Sequence, residues 1–331
     1  MVINMYSIKN FIALIALVSF LELNSEDFDN YEKRTEVKDF IEKMHKKHKF
    51  NKEWLEEIFS DAKYQEKVVR IMNRQPEGVM TWSDYKGIMI SQDRISSGSR
   101  FIQRYKQDLL RAEEIYGVPA SIIAAIIGIE TNYGENMGRT RVLDSLSTLS
   151  FDYPRREKFF KIQLEEFLLL SREEGFDPYK IKGSIAGAMG YGQFMPDSYR
   201  SYAVDFDFDG ISDLLNNPID AIGSIANFLS KKGKWEPNVS VAVKAIKVGN
   251  TPEIKSSFKP YILVSDLHSL GLKPEYNLPK NTKVVPIELK LSEGHEYWLG
   301  LKNYNSLSRY NRSKLYVMAV FEFSKSLIKF F

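Results

Sequence analysis

The 331-residue chain contains no cysteine. That absence excludes disulfides, thiol nucleophiles, iron–sulfur clusters and thiolate zinc sites. It also excludes the diacyl anchor of a bacterial lipoprotein, which is built on a cysteine. Histidine is scarce: four scattered residues (His45, His48, His268 and His295) leave little for an imidazole-based metal centre. Charge of one sign is not in excess. With 46 Lys+Arg against 43 Asp+Glu the formal net charge is +3, whereas gripping nucleic-acid phosphates needs a concentrated basic surface. No nucleic-acid partner is expected. A membrane-spanning apolar run is also missing. Phe11–Leu21 (FIALIALVSFL) gives about 16 Å of helix against a hydrocarbon layer of about 30 Å. Carboxylates are left as the reagents for chemistry.

What is present is aromatic-rich (13%) and long enough for a sizeable core. Lys9, the apolar segment 11–21 and the polar sequence from Glu22 have the layout of a secretory signal. Residues 1–24 therefore read as a signal peptide, cleaved or kept as a tether, with a buried first helix as the other reading. Apolar residues at three- and four-residue spacings predict helices through VKDFIEKMHKKHKF and NKEWLEEIFSDAKY (37–64), 97–117, 158–175 and 220–233. The stretch after Pro119 is almost wholly apolar through Ile129, the pattern of a core helix. Segments 239–248, 282–291 and 296–304 read as short strands, and 312–331 returns to helix. The fold class expected is mainly α, α+β overall. It comprises an N-terminal helical domain at 25–116, a helical core with an acidic loop at 117–235 and a small β-rich domain at 236–300. A C-terminal helix at 301–331 packs back on the core.

Glu130 stands out within this frame. It follows the apolar run 122–129, in E-T-N-Y-G. At the end of a buried helix an ionised carboxylate loses water and faces the negative end of the helix dipole, and both effects favour the protonated form that a general acid needs. A glutamate that has simply reached solvent is the plainer reading. A second block, Gly183-Ser184 through Gly187, Gly190, Tyr191, Gly192, Gln193 and Phe194, is poor in bulky side chains except for its aromatics. Glycine lets backbone approach a ligand closely. Ser184 and Gln193 offer hydrogen bonds, and Tyr191 and Phe194 offer flat faces suited to sugar rings; Tyr133 joins them as a candidate. Tight helix packing through G-x-x-x-G is the alternative. Arg155 and Arg156 in YPRR suit carboxylate or lactyl groups, or form a solvated charge pair.

The run GVPASIIAAIIGIETNYGENMGRTRVLDSLSTLSFDYPRREKFFKIQLEEFLLLSREEGFDP, followed by KGSIAGAMGYGQFMPDSYRSYAVDFDFDG, is similar to the membrane-bound lytic transglycosylase B family, bacterial murein lyases with a lysozyme-like core. The likeness extends from about Trp82 through Trp235 and returns at SRYNRSKLYVMAVFEF (308–323). It implies cleavage of the β-1,4 bond between N-acetylmuramic acid and N-acetylglucosamine without water, closing a 1,6-anhydro ring on the muramic acid. It also implies that Glu130 is the acid/base and that Ser184 sits near the N-acetyl group of the reacting sugar. The remaining substrate contacts carried over are Gln193, Arg155, Arg156, the Tyr310–Asn311 pair and Tyr85. No cofactor is implied for catalysis. Peptidoglycan glycan strands are the implied partner, with cell-wall synthesis or envelope machinery as further candidates for a monomeric protein. The compartment implied is the periplasm, soluble or tethered by residues 11–21.

Ordinary glycosidases need two carboxyl groups flanking the bond. Here Asp144 and Asp152 lie near arginines and read as ion-pair residues, so a lone Glu130 works only if the substrate's N-acetyl group supplies the second function. A non-catalytic murein-binding protein and a hydrolytic muramidase remain the competing readings. Finally, Asp205, Asp207, Asp209, Gly210, Ile211 (through its backbone) and Asp213 follow the first two-thirds of a calcium loop. Asn216 occupies the position of the usual bidentate glutamate, and the resemblance supplies Asp220 instead. The expected occupant is a structural Ca2+; the alternative is a solvated acidic turn capping the 220–233 helix. Phe208, Phe228 and Asp197 depart from the family's usual small residue, Tyr and Ser.

Overall fold

Helix boundaries follow local chemistry in the computed structural model, which describes residues 31–73, 80–249 and 253–331. The expected signal segment 1–24 lies outside the described residues. In chain order the helices are α1 (Thr35–His48), α2 (Lys52–Asp61), α3 (Glu66–Met72), α4 (Trp82–Met89), α5 (Gln92–Tyr116) and α6 (Ala120–Thr131). They continue with α7 (Val142–Phe151), α8 (Glu157–Glu173), α9 (Pro196–Tyr202), α10 (Pro218–Lys231), α11 (Lys302–Leu307) and α12 (Lys314–Leu327). Asn51, Thr81, Ser91, Asn217 and Ser313 each cap the following helix by accepting a backbone N–H. Gly117 closes α5 at φ +70°, where a residue with a side chain would be strained. The chain is mainly α-helical with a smaller β component.

The contacts divide the chain into two units: residues up to Asn73 with Arg139–Gly187, and Arg74–Gly138 with Ala188–Phe331. Each unit is made from two separated stretches. In the first, α7 packs against α8, and a two-stranded ribbon joins β1 (Thr140–Arg141) to β2 (Lys182–Gly183) in antiparallel register. Three of its buried carboxylates are paired with cations. Glu165 on α8 receives Lys43, Lys47 (2.8 Å) and His48 (2.7 Å) from α1. Asp144 accepts from Arg141 (2.6 Å) and Asp152 from Arg34 (2.8 Å). Both aspartates are thus structural ion-pair residues, as the sequence suggested, although the partner of Asp152 comes from before α1 and not from YPRR.

The second unit is centred on α6. Eleven of its 12 residues are buried, and the exception is Glu130. Each buried isoleucine contributes roughly 1.5–3 kcal/mol of transfer free energy, so the helix is pinned by its apolar surface and delivers the glutamate at its last turn. Helices α5 and α12 pack directly on α6, and α10 packs on α5. The C-terminal helix therefore does return to the core helix. Downstream, β3 (Ala242–Lys247), β4 (Ile262–Leu263), β5 (Leu272–Pro274), β6 (Lys283–Lys290) and β7 (His295–Gly300) form one antiparallel sheet in the order β4-β6-β7-β3-β5. The strand expected over 296–304 ends at Gly300, and Lys302–Leu307 is helical instead. The local reason is Gly300, beside which Tyr304 folds back: an added Cβ would lie 2.8 Å from the Tyr304 ring. Among the described residues no single helix is long and apolar enough to cross a membrane.

Candidate active site

Helix α6 ends where Asn132 adopts φ +49° and returns its N–H to the Gly128 carbonyl, leaving Glu130 partly buried in the final turn. Tyr316, from α12, donates its hydroxyl to Glu130 Oε1 at 2.6 Å. Its ring lies parallel to that of Tyr310 (6.5 Å between centroids, 6° between planes). Tyr310 in turn donates to the Gly192 carbonyl at 2.5 Å. Burial, followed by the Glu130 carboxylate, pushes both phenols well above their ordinary value, so both remain neutral donors. Glu130 and Tyr316 are 186 residues apart in the chain. Tyr316 was not among the residues singled out from sequence; its signal was only its place in the late block, six residues after Tyr310.

The glycine block is not a packed helix. Met189 and Phe194 pair as a β-bridge, with both N–H···O distances at 2.9 Å, and Gly190-Tyr191-Gly192-Gln193 forms the turn between them. Gly190, at φ +71°, lies so close to the next segment that a Cβ would fall 2.1 Å from the Leu214 carbonyl oxygen. Thr131, one residue after Glu130, ties this turn to α6: its hydroxyl lies 3.0 Å from the Tyr191 carbonyl and accepts the Gly134 N–H at 3.1 Å. The side-chain amide nitrogen of Gln193 donates to the carbonyls of Met137 (3.1 Å) and Gly190 (3.0 Å). Both neighbours are acceptors only, which fixes the amide's orientation and leaves its oxygen as the group able to receive a ligand's donor.

In the second unit, Glu130, Tyr191, Gln193, Tyr310 and Tyr316 are thus linked through α6, the turn and the start of α12. Other predicted residues occupy different places. Phe194 is only 3% exposed and packs on Tyr310 and Phe228, so its ring supports Tyr310 and presents no open face. Phe228 is buried in the same cluster. Tyr133 turns inward: its hydroxyl is buried without a partner, against space that Cβ atoms at Gly98 and Gly128 would fill. That geometry gives it a packing role. Tyr85 is buried on α4, near enough to Tyr316 to influence it electrostatically. Asn311 follows Tyr310 and is partly exposed. Ser184, Arg155 and Arg156 belong to the first unit. There the Ser184 hydroxyl accepts the Ala186 N–H at 3.3 Å, and Arg156 lies over the rings of Phe159 and Phe160 (4.2 and 5.2 Å) while Arg155 is exposed.

In the acidic loop, carboxylate oxygens of Asp205, Asp207 and Asp209 lie within 4.8 Å of one another. Such an all-oxygen cluster fits a hard cation. Asp213 and Asp220 do other work. Asp213 accepts the N–H groups of Leu215 and Asn216. Asp220, 0% exposed, accepts those of Phe206 (2.7 Å) and Asp213 (2.8 Å) and thereby holds the two ends of the loop together. Asp220 thus anchors the loop through both of its oxygens, as Asp205 does through the N–H groups of Asp209 and Gly210. Ile211 is exposed, and its N–H donates to Asp209 Oδ1 at 2.9 Å.

Comparison with known proteins gives consistent results. Residues 32–325 match the family model for the transglycosylase SLT domain. The membrane-bound lytic murein transglycosylase B of Escherichia coli (strain K12) is 43% identical over 299 residues, covering 87% of this chain and 81% of that protein. Among solved structures, the catenated lytic transglycosylase SltB1 of Pseudomonas aeruginosa superposes with a TM-score of 0.85 at 40% identity, over 90% of this chain and 99% of that one. The Escherichia coli lytic transglycosylase SLT35 in complex with calcium gives 0.82 at 43% identity, over 89% and 93% of the two chains.

Proposed function

The chain belongs to the lysozyme-like lytic transglycosylase family, and from that premise we propose that Glu130 is its single acid/base. The enzyme carries out the lytic transglycosylase reaction, which ends in 1,6-anhydro-N-acetylmuramic acid. The observation that carries the assignment is the Tyr316 hydrogen bond to Glu130 Oε1 at 2.6 Å, at the end of a helix whose every other residue is buried.

In the first step the Glu130 carboxylic acid gives its proton to the bridging oxygen as the bond from that oxygen to C1 of the muramic residue breaks. The N-acetyl oxygen of the same sugar stabilises the electron-poor C1. In the second step the Glu130 carboxylate takes the proton of the C6 hydroxyl while O6 bonds to C1, which closes the anhydro ring and restores the acid. No water is consumed. The intramolecular attack carries a large effective-concentration advantage over solvent. Tyr316 holds one carboxylate oxygen through both steps, and Tyr310 holds the Gly190–Gln193 turn against α12. Gln193 accepts from a sugar N–H or hydroxyl through its amide oxygen, and Tyr191 and Asn311 are further substrate contacts. Ser184, Arg155 and Arg156, on the first unit, stand as substrate-binding residues on the family likeness, Ser184 toward the acetamide and the arginines toward lactyl or peptide carboxylates.

Members of the family bind peptidoglycan glycan strands. For this chain we further propose a structural Ca2+ on Asp205, Asp207 and Asp209, in keeping with the calcium complex of the SLT35 relative. Export to the periplasm through residues 1–24 and action as a monomer complete the reading. The deciding experiment is digestion of purified sacculi with the wild-type and Glu130→Gln proteins, with products identified by mass spectrometry. Anhydro-muropeptides from wild type and none from the variant are expected. Reducing ends alone would replace lysis by hydrolysis, and wild-type-like release by the variant would remove Glu130 from the chemistry.

A further inference from the structure

Tyr133 is held in a way that a packing role alone does not explain. Its backbone is left-handed at φ +60°, directly after Asn132 at φ +49°, a conformation unfavourable for a residue with a side chain. Its hydroxyl is buried with no hydrogen-bond partner, which is unfavourable again. Phenylalanine would fill almost the same volume and avoid the unpaired oxygen. The residue lies three positions after Glu130, in the segment that ends α6. Strain retained beside a reacting group points to a function for the strained residue.

The surroundings of the phenol show what its oxygen does. A Cβ added at Gly98 of α5 would lie 2.5 Å from the Tyr133 oxygen, and one at Gly128 of α6 would lie 2.6 Å from it. Glycine on both helices thus makes the room that the oxygen fills. The same two positions meet α12. The Gly98 Cβ would fall 2.7 Å from Leu327 Cδ2, and the Gly128 Cβ 2.7 Å from Phe323 Cε1. Phe323 and Leu327 follow Tyr316 on one stripe of α12, two and three turns further along. Helices α5, α6 and α12 pack on one another, and the Tyr133 oxygen sits where they meet. The segment is fixed on its other side as well. The Thr131 hydroxyl donates to the Tyr191 carbonyl and accepts the Gly134 N–H, and a Cβ at Gly134 would run into the Tyr191 ring.

We propose that Tyr133 is a positioning residue for Glu130. Its phenolic oxygen is the spacer that sets how closely α6 and α12 approach, and so sets the 2.6 Å contact between Glu130 and Tyr316. The proposal rests on the reading of Glu130 as the acid/base. Glu130 comes from α6 and Tyr316 from α12, so the hydrogen bond between them is only as well placed as the two helices are. A close-packed interior transmits the change of one atom, because it holds little void to absorb it. A misplacement of about 1 Å can cost roughly 100-fold in rate, so a smaller shift of α6 against α12 alters turnover without altering the fold.

The test is a set of substitutions at the spacer, each measured as kcat and KM for anhydro-muropeptide release from soluble strands and by thermal melting. Tyr133→Phe should lower kcat about tenfold and leave KM within about twofold. It should melt no lower than the wild type, since it removes an unpaired hydroxyl. Gly98→Ala should also lower kcat, through its clash with the oxygen. The double variant Gly98→Ala/Tyr133→Phe should return kcat to within about twofold of the wild type, because the new methyl takes the oxygen's place, 3.1 Å from the ring carbon that bore it. Gly128→Ala should gain nothing from Tyr133→Phe, because its Cβ would lie 2.7 Å from that ring carbon and from Phe323. An unchanged kcat in Tyr133→Phe overturns the proposal. So does a double variant whose loss is the sum of the two single losses. A fall in kcat matched by a fall in melting temperature also overturns it, since that is ordinary destabilisation. Failure of the wild type to form anhydro products, or wild-type turnover by Glu130→Gln, is a different result and sinks the reading of Glu130 itself.

Discussion

Tyr316→Phe isolates the contact that only the folded chain creates. The substitution removes one oxygen and keeps the ring, so the parallel stack on Tyr310 and the burial of the side chain are retained. What is lost is the 2.6 Å hydrogen bond to Glu130 Oε1. A hydrogen bond to a charged group is worth about 1.5–3 kcal/mol, and 1.36 kcal/mol is tenfold in rate. If the bond serves the reacting form of Glu130, kcat should fall roughly 10- to 150-fold, with KM within about threefold because Tyr316 binds Glu130 and not the sugar. The assay is initial-rate release of anhydro-muropeptides from soluble strands, with thermal melting to verify folding. A double-mutant cycle sharpens it. In a Glu130→Gln background the Tyr316→Phe change should cost little more, since both act as one unit. A kcat within twofold of wild type would refute the assigned role. Full additivity with Glu130→Gln would show that Tyr316 acts elsewhere.

Three further outcomes are expected. Gly192→Ala would set a Cβ 2.8 Å from Tyr310 Oη and 3.1 Å from the Phe194 ring; displacing Tyr310 should cost about 1–3 kcal/mol of stability and lower activity more than tenfold, read by melting and turnover together. The carboxylates gathered in the acidic loop repel one another, so Ca2+ should raise the melting temperature of the wild type, and Asp205→Ala/Asp209→Ala should abolish that rise; no effect of Ca2+ or chelator on the wild type would remove the metal. In the first unit, burial pushes the Glu165 carboxyl up, but Lys43, Lys47 and His48 outweigh it and bring it from the ordinary 4.5 down to about 2. A depressed carboxyl stabilises the folded state above its unfolded value, and that contribution is lost as pH falls from about 4.5 towards 2. Denaturant unfolding should therefore lose stability across that window, and Glu165→Gln should flatten the slope there.

How much was legible in the sequence differed from residue to residue. Glu130 was legible because its signal is local: an apolar helix, a carboxylate in the last turn and a positive-φ stop lie within a few consecutive residues. The Gly190–Gln193 turn was visible as a cluster of glycines, but its form was not. Whether glycines serve a helix contact or a hairpin depends on what approaches them, here the Leu214 carbonyl and the Tyr310 hydroxyl. Tyr133 and Phe194 looked like sugar-facing rings because aromatic composition carries no direction. Spacing named Asp220 in the acidic loop, but it cannot reveal that both oxygens accept backbone N–H groups and so tie the loop's ends together.

By itself the sequence determined what rests on neighbours along the chain. It specified which segments are helical, where capping residues and glycines begin and end them, that thiol chemistry is absent, and which family's motifs are present. The tertiary structure decided what depends on approach between distant segments. It interleaved two stretches of chain in each unit where a linear division ran straight through. It brought Tyr316 to Glu130 across 186 residues. Periodicity reports which face of an element is apolar, whereas a hydrogen bond or an uncompensated charge is a property of pairs, and pairs form only when the chain closes on itself.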